Sequence, residues 1–197
     1  IDRDAMITHL RNGVGKAANG GFIPQGLPNH TGYKDSSYNL KLAKNYLQAS
    51  RIKNTKPITL TTTSNYLDLC VLVQKNCAEI GIEIKIDVIP ASLLKQQKST
   101  GDLTFFRSSW IADYPDGENF MTCFYGPNKA PNGPNYTRYS NLEFDQEYAS
   151  LMSVTDPIKK EKLITKMENI LHDDQPFILL FYDESIWLKN KKVDQIK

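Results

Sequence analysis

Hydrophobic and polar positions along the middle of the chain change their period several times, and each change predicts a new element. Residues 57–62 are rich in β-branched side chains, and residues 82–88 alternate strictly between apolar and polar positions, as in a half-buried strand. Helical spacing occurs between them, at residues 65–80, and again at residues 90–99. A short apolar run at residues 103–107 predicts a third strand. The resulting β-α-β-α-β order predicts parallel pairing with right-handed connections.

Outside the middle of the chain, the pattern predicts four helices, a long loop and a last strand. Residues 13–37 are rich in Gly, Pro and Asn and predict an extended surface loop, whereas residues 176–188 are apolar and predict a last strand or pair of strands. Apolar positions with helical spacing predict four more helices, at residues 2–11, 38–49, 142–152 and 157–172. Strands that alternate with helices place the chain in the α/β class.

Capping residues predict where two of these helices begin. Asp2 is the predicted N-cap of the first helix, whose Ile7 and Leu10 are expected to face inward. Asp156 is the predicted N-cap of the last of the four, because Pro157 suits the first helical position. We therefore expect these capping residues to determine where both helices begin.

Length and charge limit the kinds of protein that the chain can be. Its 197 residues suffice for one large domain or for one lobe of a larger protein. The formal net charge is only +2 and the lysines are scattered, so the basic stripe that nucleic acid binding requires is missing. The chain contains no run of about 18 apolar residues, so the sequence predicts no membrane-spanning helix. Because the chain opens at Ile1 without a signal peptide, we expect a fragment or processed product.

The three cysteines predict neither a disulfide nor a metal site. Cys70 and Cys77 are seven residues apart in one predicted helix, a separation of roughly 10 Å that is too long for a disulfide. Neither they nor Cys123 belong to a Cys-x-x-Cys or Cys/His pattern with ligand spacing. We interpret all three as small buried apolar residues and expect no metal and no cofactor.

One short stretch combines a cation, an aromatic ring and a carboxylate. Arg107 ends the third predicted strand, and Trp110 and Asp113 follow it closely. Ligands of parallel sheets bind at the carboxyl ends of the strands, so these side chains are expected to lie at such a site. Opposite charges on either side of an aromatic face suit a zwitterionic ligand that carries an amine and a carboxylate.

A catalytic interpretation of the same stretch is weaker. Asp113 and Asp116 are a possible carboxylate pair of a hydrolase, but the sequence does not fix their separation in a loop that contains Pro115. Asp116 followed by Gly117 is typical of a turn. The chain has no Gly-x-Ser-x-Gly motif and no histidine with partners at ligand spacing. We therefore expect a binding protein and not an enzyme.

Short motifs occur along the chain in a fixed order. The most specific is Trp110-Ile111-Ala112-Asp113-Tyr114-Pro115-Asp116 with Asn119-Phe120. The others, in order, are Ile1-Asp2-Arg3, Ala17-Ala18, Ile23-Pro24-Gln25-Gly26, Tyr38-Asn39, Ala43-Lys44, Gly81-Ile82, Asn135-Tyr136, Tyr139-Ser140-Asn141, Phe144-Asp145 and Pro176. Over nearly its whole length the chain thus resembles the family 5 extracellular solute-binding proteins, the oligopeptide- and dipeptide-binding components of ABC importers.

The resemblance implies both a fold and a place in a larger protein. The implied fold is α/β, a lobe of the type II periplasmic binding proteins with a mixed, mostly parallel sheet flanked by helices. Residues 1–197 would form a single C-terminal lobe of a two-lobed protein, with a ligand-facing segment at residues 103–120. That protein would bind di- or oligopeptides between its lobes and deliver them to permease subunits. It would act as a monomer in the bacterial periplasm or as a lipid-anchored protein at the cell surface.

The resemblance also implies roles for individual residues. In peptide-binding members, the Asp of the Trp-x-x-Asp segment receives the N-terminal ammonium of the ligand, so Asp113 is the implied amine anchor. Ser109 and Ile111 would pair their backbone groups with the peptide, and Trp110 would flank a side-chain pocket. Arg107 holds the position of an arginine that meets a ligand carboxylate in some members. The predicted ligand-binding residues are therefore Arg107, Ser109, Trp110, Ile111, Asp113 and Tyr114.

Other members of this family suggest alternatives for the cargo and its use. Some carry nickel, haem or sugars, and some relatives present peptides to a receptor in signalling. Peptide uptake is the preferred interpretation, and the other cargoes and the signalling role remain open alternatives.

Overall fold

The computed structural model of the chain describes residues 1–30, 32, 37–52, 56–185, 188 and 190. The helices are α1 (Arg3–Ala5, continued by a π-helical turn at Met6–Leu10), α2 (Leu40–Ala49), α3 (Leu67–Ala78), α4 (Ala91–Thr100), α5 (Glu118–Met121), α6 (Leu142–Leu151) and α7 (Pro157–Asp174). The strands are β1 (Lys16–Ala17), β2 (Ile58–Thr62), β3 (Ile84–Val88) and β4 (Phe181–Tyr182). Short 3₁₀ turns lie at Ser64–Tyr66, Thr122–Phe124 and Gly126–Asn128.

The predicted parallel β-α-β unit lies at the centre of the fold. β2 and β3 pair in parallel, with Leu60 opposite Ile86. The connecting helix α3 buries Leu69, Cys70 and Val73 in the apolar core beside this sheet. Burial of one such aliphatic side chain contributes roughly 1.5–3 kcal/mol, so this face holds the helix to the strands. The predicted parallel pairing and crossover helix are confirmed.

The predicted third strand at residues 103–107 is wrong. Phe106 instead makes an isolated parallel bridge with Thr61. Two backbone hydrogen bonds form this bridge, from the Thr61 N–H to the Phe105 carbonyl (3.0 Å) and from the Arg107 N–H to the Thr61 carbonyl (2.9 Å). The chain bends just before the bridge and leaves β2 just after it, so one residue joins the ladder. In the part of the chain that the structure describes, the predicted mixed sheet is thus reduced to a parallel pair with one bridged residue.

The first helix begins as predicted but faces a different way. Asp2 caps it by accepting a hydrogen bond from the Ala5 N–H (2.9 Å). From Met6 onward the helix widens into a π-turn, which has more residues per turn than the 3.6 that the prediction assumed. Met6 is therefore fully buried and Ile7 half-buried, whereas Leu10 is 39% exposed. The predicted inward position of Leu10 is wrong.

A second small sheet joins the two ends of the chain. β1 and β4 pair antiparallel. The predicted surface loop at residues 13–37 therefore contains a strand, and it also buries Ala18 and Ile23 completely. Of the predicted last strand at residues 176–188, the described residues form β4 alone, and residues 186 and 187 lie outside them.

A second apolar core, the helical core, lies between α5, α6 and α7. Its fully buried side chains include Met121, Phe144, Ile164 and Met167. The N–H of Ile158 donates to the Asp156 carboxylate (3.0 Å), so the predicted N-cap of α7 is confirmed. None of the helices within the described ranges is long and apolar enough to cross a membrane.

The three cysteines are free thiols that pack with apolar residues. Cys70 and Cys123 are buried and Cys77 is half-buried. Burial raises the pKa of all three thiols, and that of Cys123 reaches about 12. They therefore stay protonated near neutral pH, as the prediction of small apolar residues requires.

Arg138 holds the carboxyl-terminal end of α4. Its guanidinium donates to the carbonyls of Lys98 (3.2 Å) and Ser99 (2.8 Å), which belong to the last turn of the helix. The helix ends at Gly101 in the left-handed conformation, with φ +88°. A Cβ atom at residue 101 would lie only 2.6 Å from the Arg138 guanidinium carbon. A glycine is needed here both for its backbone angle and for this close approach.

Gly101→Ala is expected to destabilise the protein more than Gly81→Ala does. Both glycines follow a helix with similar φ angles, +88° and +84°, so alanine has a similar backbone cost of about 1–2 kcal/mol at either position. Only at Gly101 would the new methyl group displace Arg138 and weaken its two hydrogen bonds, at a further cost of about 1 kcal/mol. Chemical denaturation of both variants measures the difference, and equal losses would contradict this role of Arg138.

Candidate functional site

The candidate site begins where the chain leaves the edge of β2. Residues 108–112, which follow the bridge at Phe106, belong to no helix, strand or turn. Among the described residues, no hydrogen bond uses a backbone N–H or C=O group of residues 108–112. Unpaired backbone groups of this kind are available to pair with another chain segment. We call residues 108–112 the open stretch.

A buried amide attaches the open stretch to the helical core. Asn119, in the first turn of α5, is only 4% exposed. Its Oδ1 atom accepts hydrogen bonds from the Trp110 indole N–H (3.0 Å) and from the Asp113 backbone N–H (3.1 Å). Trp110 is half-buried and packs against the helical core. The motif that carries the resemblance includes Asn119, but the sequence alone predicts no role for it.

Asp113, the predicted amine anchor, presents its carboxylate to solvent. No group among the described residues forms a hydrogen bond or ion pair with that carboxylate. Its neighbours are also accessible, since Ile111 is 87% and Tyr114 48% exposed. The Tyr114 hydroxyl donates to Glu118, and this hydrogen bond is the main cause of the raised pKa of Tyr114. An exposed carboxylate on a fixed backbone is able to bind the cationic end of a ligand.

Asp116 belongs to the scaffold beneath the site. Its carboxylate accepts a hydrogen bond from the Glu118 N–H (2.9 Å) and forms an ion pair with Lys160 of α7. The two side chains of this pair are 27% and 25% exposed, so the pair is partly shielded from water. These contacts agree with the predicted turn role of Asp116. A carboxylate that a lysine already engages is a poor general base, which weakens the hydrolase alternative.

Two cations, Arg107 and Lys98, form what we call the cationic patch at the start of the open stretch. The Arg107 guanidinium lies 3.3 Å from the centroid of the Tyr66 ring and donates to Ser109 Oγ (3.3 Å). Lys98 Nζ, on the last turn of α4, donates to Ser108 Oγ (3.1 Å). In the described part of the chain, no carboxylate lies within ion-pair distance of either cation, although the charge of Asp183 acts on Arg107 from farther away. The sequence prediction missed Lys98, because only the folded chain brings α4 beside Ser108.

Burial disfavours the charged forms of both side chains in the cationic patch. Desolvation lowers the pKa of Lys98, and the positive charge of Arg107 lowers it further. Desolvation also lowers the pKa of Arg107, although its contact with Tyr66 opposes this effect. A bound anion would favour the charged form of both side chains. The cationic patch is therefore suited to the negative end of a ligand.

The predicted ligand-binding residues fall into separate groups in the structure. Arg107 and Ser109 contact each other at the cationic patch. Trp110 and Asp113 share one buried acceptor on α5. Ile111 lies between Trp110 and Asp113 in the chain and is exposed to solvent. The site therefore presents a cation at one end and a carboxylate at the other, with open backbone between them. Within the described ranges, no group of three His, Cys, Asp or Glu residues is arranged to hold a metal ion.

Comparison with protein families defines the class of this protein. The model of the bacterial extracellular solute-binding proteins, family 5 Middle, matches residues 1–132. The chain therefore belongs to the family 5 bacterial extracellular solute-binding proteins, as its motifs predicted.

Curated relatives match nearly the whole chain at low identity. The probable D,D-dipeptide-binding periplasmic protein DdpA of Escherichia coli (strain K12) is 23% identical, over 98% of this chain and 38% of the relative. The oligopeptide-binding protein AppA of Bacillus subtilis (strain 168) is 24% identical, over 92% of this chain and 36% of the relative. The chain thus spans little more than a third of the length of these relatives.

Solved structures share the fold. The periplasmic binding protein DppA from Helicobacter pylori, in complex with the peptide STSA, superposes with a TM-score of 0.83 at 25% identity, over 93% of this chain and 36% of that one. AppA from Bacillus subtilis, in complex with a nonapeptide, has a TM-score of 0.77 at 25% identity, over 93% and 40%. The predicted α/β lobe of a periplasmic binding protein is confirmed.

Removal of the Arg107 charge is expected to raise the pKa of Lys98. Arg107→Gln removes a repulsion that disfavours the charged form of Lys98, so the pKa should rise. It should stay below its ordinary value, because burial is the larger cause of the shift. Arg107→Lys retains the positive charge and serves as the matched control with a lowered pKa. NMR titration of the Lys98 side chain measures both, and an unchanged pKa in Arg107→Gln would show that the two cations do not interact.

Proposed function

We propose that this chain forms one wall of a peptide-binding site in the substrate-binding component of an ABC importer. The proposal is carried by the exposed, unpaired carboxylate of Asp113, whose backbone is held at the end of the open stretch. The relatives support it, because they include proteins named for peptide binding and structures determined with bound peptides. The proposed ligand is a di- or oligopeptide with a free N-terminal amine.

The amine end of the peptide binds Asp113. Its ammonium forms a charge-assisted hydrogen bond with the carboxylate, which contributes about 1.5–3 kcal/mol. The backbone groups of Ser109 and Ile111 pair with the main chain of the peptide, which is the same for every peptide sequence. Trp110 donates its indole N–H to Asn119 and packs part of its ring on the helical core, so the exposed part of the ring is what remains for contact with a peptide side chain.

The cationic patch binds the carboxylate end of a short peptide. Among the described residues, no carboxylate lies within ion-pair distance of Arg107 or Lys98, and their hydroxyl partners Ser108 and Ser109 leave donors free for an anion. The distance between the cationic patch and Asp113 then determines which peptide length can contact both ends of the site. A longer peptide would place its carboxylate beyond the reach of both cations and would lose this contact.

A second wall and a partner complete the proposed function. This chain is a single C-terminal lobe, with residues 103–120 as its ligand-facing segment, in a protein of the length of its relatives. The other lobe closes over the peptide, and the closed monomer delivers its cargo to permease subunits. The protein acts in the bacterial periplasm or, with a lipid anchor, at the cell surface.

The 197-residue chain is expected to bind short peptides only in the millimolar range. A single wall leaves most of the ligand in water, whereas small-ligand sites bury most of the ligand surface. Isothermal titration calorimetry with di- to pentapeptides measures the affinity, and NMR shift changes should be centred on residues 107–114. Micromolar binding to this chain alone would contradict a site that needs two walls.

Asp113→Asn is expected to weaken the binding of a tetrapeptide with a free amine at least about tenfold, because it removes the charge-assisted hydrogen bond. An N-acetylated tetrapeptide lacks the ammonium and should bind the variant and the unmodified chain equally weakly. Asp173→Asn, which removes an exposed carboxylate on α7, is the matched control and should change neither affinity. NMR titration measures these affinities. Equal binding of the free-amine peptide to Asp113→Asn and to the unmodified chain would refute the amine anchor.

A further inference from the structure

Among the described residues, the backbone of the open stretch makes no hydrogen bond that holds it in place. The Arg107 N–H bonds to β2, and the next backbone N–H along the chain that bonds to another backbone group in the described residues is that of Asp116. Between these two points, the hydrogen bonds of Trp110 and Asp113 both end on the Oδ1 atom of Asn119. A single buried oxygen atom therefore fixes two of the proposed peptide contacts.

We infer that Asn119 is a positioning residue of the proposed peptide site, which aims the Asp113 carboxylate and sets the plane of the Trp110 ring. Because Asn119 is only 4% exposed, it would act through Trp110 and Asp113 and not by its own contact with the ligand. The inference rests on the proposed function as far as the ligand is concerned. Its geometric part concerns the ligand-free chain and is independent of the function.

The orientation of the Asn119 amide follows from its partners. The indole N–H of Trp110 and the backbone N–H of Asp113 are both donors, so the oxygen of the amide must face them. The NH₂ group of the amide then faces the other way. Asn119 also lowers the pKa of Tyr114, which partly offsets the larger, raising effect of Glu118. One side chain thus contacts two members of the predicted ligand-binding set at this end of the site, Trp110 and Asp113.

The burial of α5 makes Asn119 an effective support. Its neighbours Phe120 and Met121 are 6% and 0% exposed in the helical core, so the amide cannot move without disturbing that core. Asp116 also accepts a hydrogen bond from the first turn of α5 and pairs with Lys160. The direction of the Asp113 carboxylate is therefore set by the helical core and not by the sheet.

Two substitutions at Asn119 separate its acceptor role from its size. Asn119→Leu keeps a side chain that branches at Cγ, though a larger one, and leaves the N–H groups of Trp110 and Asp113 without an acceptor. Asn119→Asp, the matched control, keeps an oxygen in the same place.

The first readout is the ligand-free NMR spectrum. Trp110 gives one of two indole N–H signals in it, and Trp187→Phe identifies which one by removing the other. Asn119→Leu should shift this signal and make the Asp113 amide more mobile on the ps–ns timescale, whereas Asn119→Asp should preserve both.

The second readout is the preference for a free amine over an N-acetylated amine. The ratio of the two tetrapeptide affinities should be at least about tenfold in the unmodified chain and in Asn119→Asp. In Asn119→Leu it should fall close to one, because the carboxylate is no longer aimed. If Asn119→Leu does not fold, Asn119→Ser, whose hydroxyl is too short to reach both donors, should give the same result.

Three results distinguish failure of the inference from failure of the proposed function. Unchanged signals of Trp110 and Asp113 in a folded Asn119→Leu or Asn119→Ser variant would overturn the inference, whatever the ligand. Changed signals with an unchanged affinity ratio would overturn it too, since Asn119 would then be purely structural. If the unmodified chain does not prefer the free amine, the proposed function fails, and the ligand-free signals alone decide whether Asn119 positions this stretch.

Discussion

Two hydrogen bonds at Thr61 determine where the proposed binding residues begin. Thr61 is 2% exposed, and its N–H and C=O groups bond to Phe105 and Arg107 on the neighbouring segment. This is the one point at which that segment joins β2 within the described residues. A shift of a single residue in this register would turn Arg107 to the opposite face. The position of Arg107, and with it the start of the open stretch, depends on this bridge.

The two apolar cores contribute different parts of the site. The core beside β2 and β3 includes Leu60 and Phe105, which lie next to the bridge and so help to position Arg107. Helix α4 brings Lys98 beside the open stretch. The helical core supplies Asn119, which holds the far end near Asp113. The open stretch thus connects a cationic end on one core with an anionic end on the other. The distance between the two charges is set by how the cores pack together, so substitutions far from the site can alter it.

The sequence predicted those features whose causes are local. The parallel pair, its crossover helix and the caps at Asp2 and Asp156 follow from side chains close together in the chain, and all are present. Leu10 was misplaced, because a π-turn does not keep the helical period. The third strand was misplaced, because an apolar run does not show how many of its residues will find a partner. Asn119 and Lys98 were missed, since their roles arise only when distant segments meet.

The central claim is that Asp113 receives the amine of a peptide that lies along the open stretch. A crystal structure of the peptide complex tests this most directly, in a protein that includes both walls of the site. The expected result is a peptide ammonium about 2.7–2.9 Å from the Asp113 carboxylate, with Asn119 still bonded to Trp110 and Asp113. The peptide main chain should pair with the backbone of residues 108–112. A bound peptide whose amine lies elsewhere, with the Asp113 carboxylate still facing solvent, would contradict the claim.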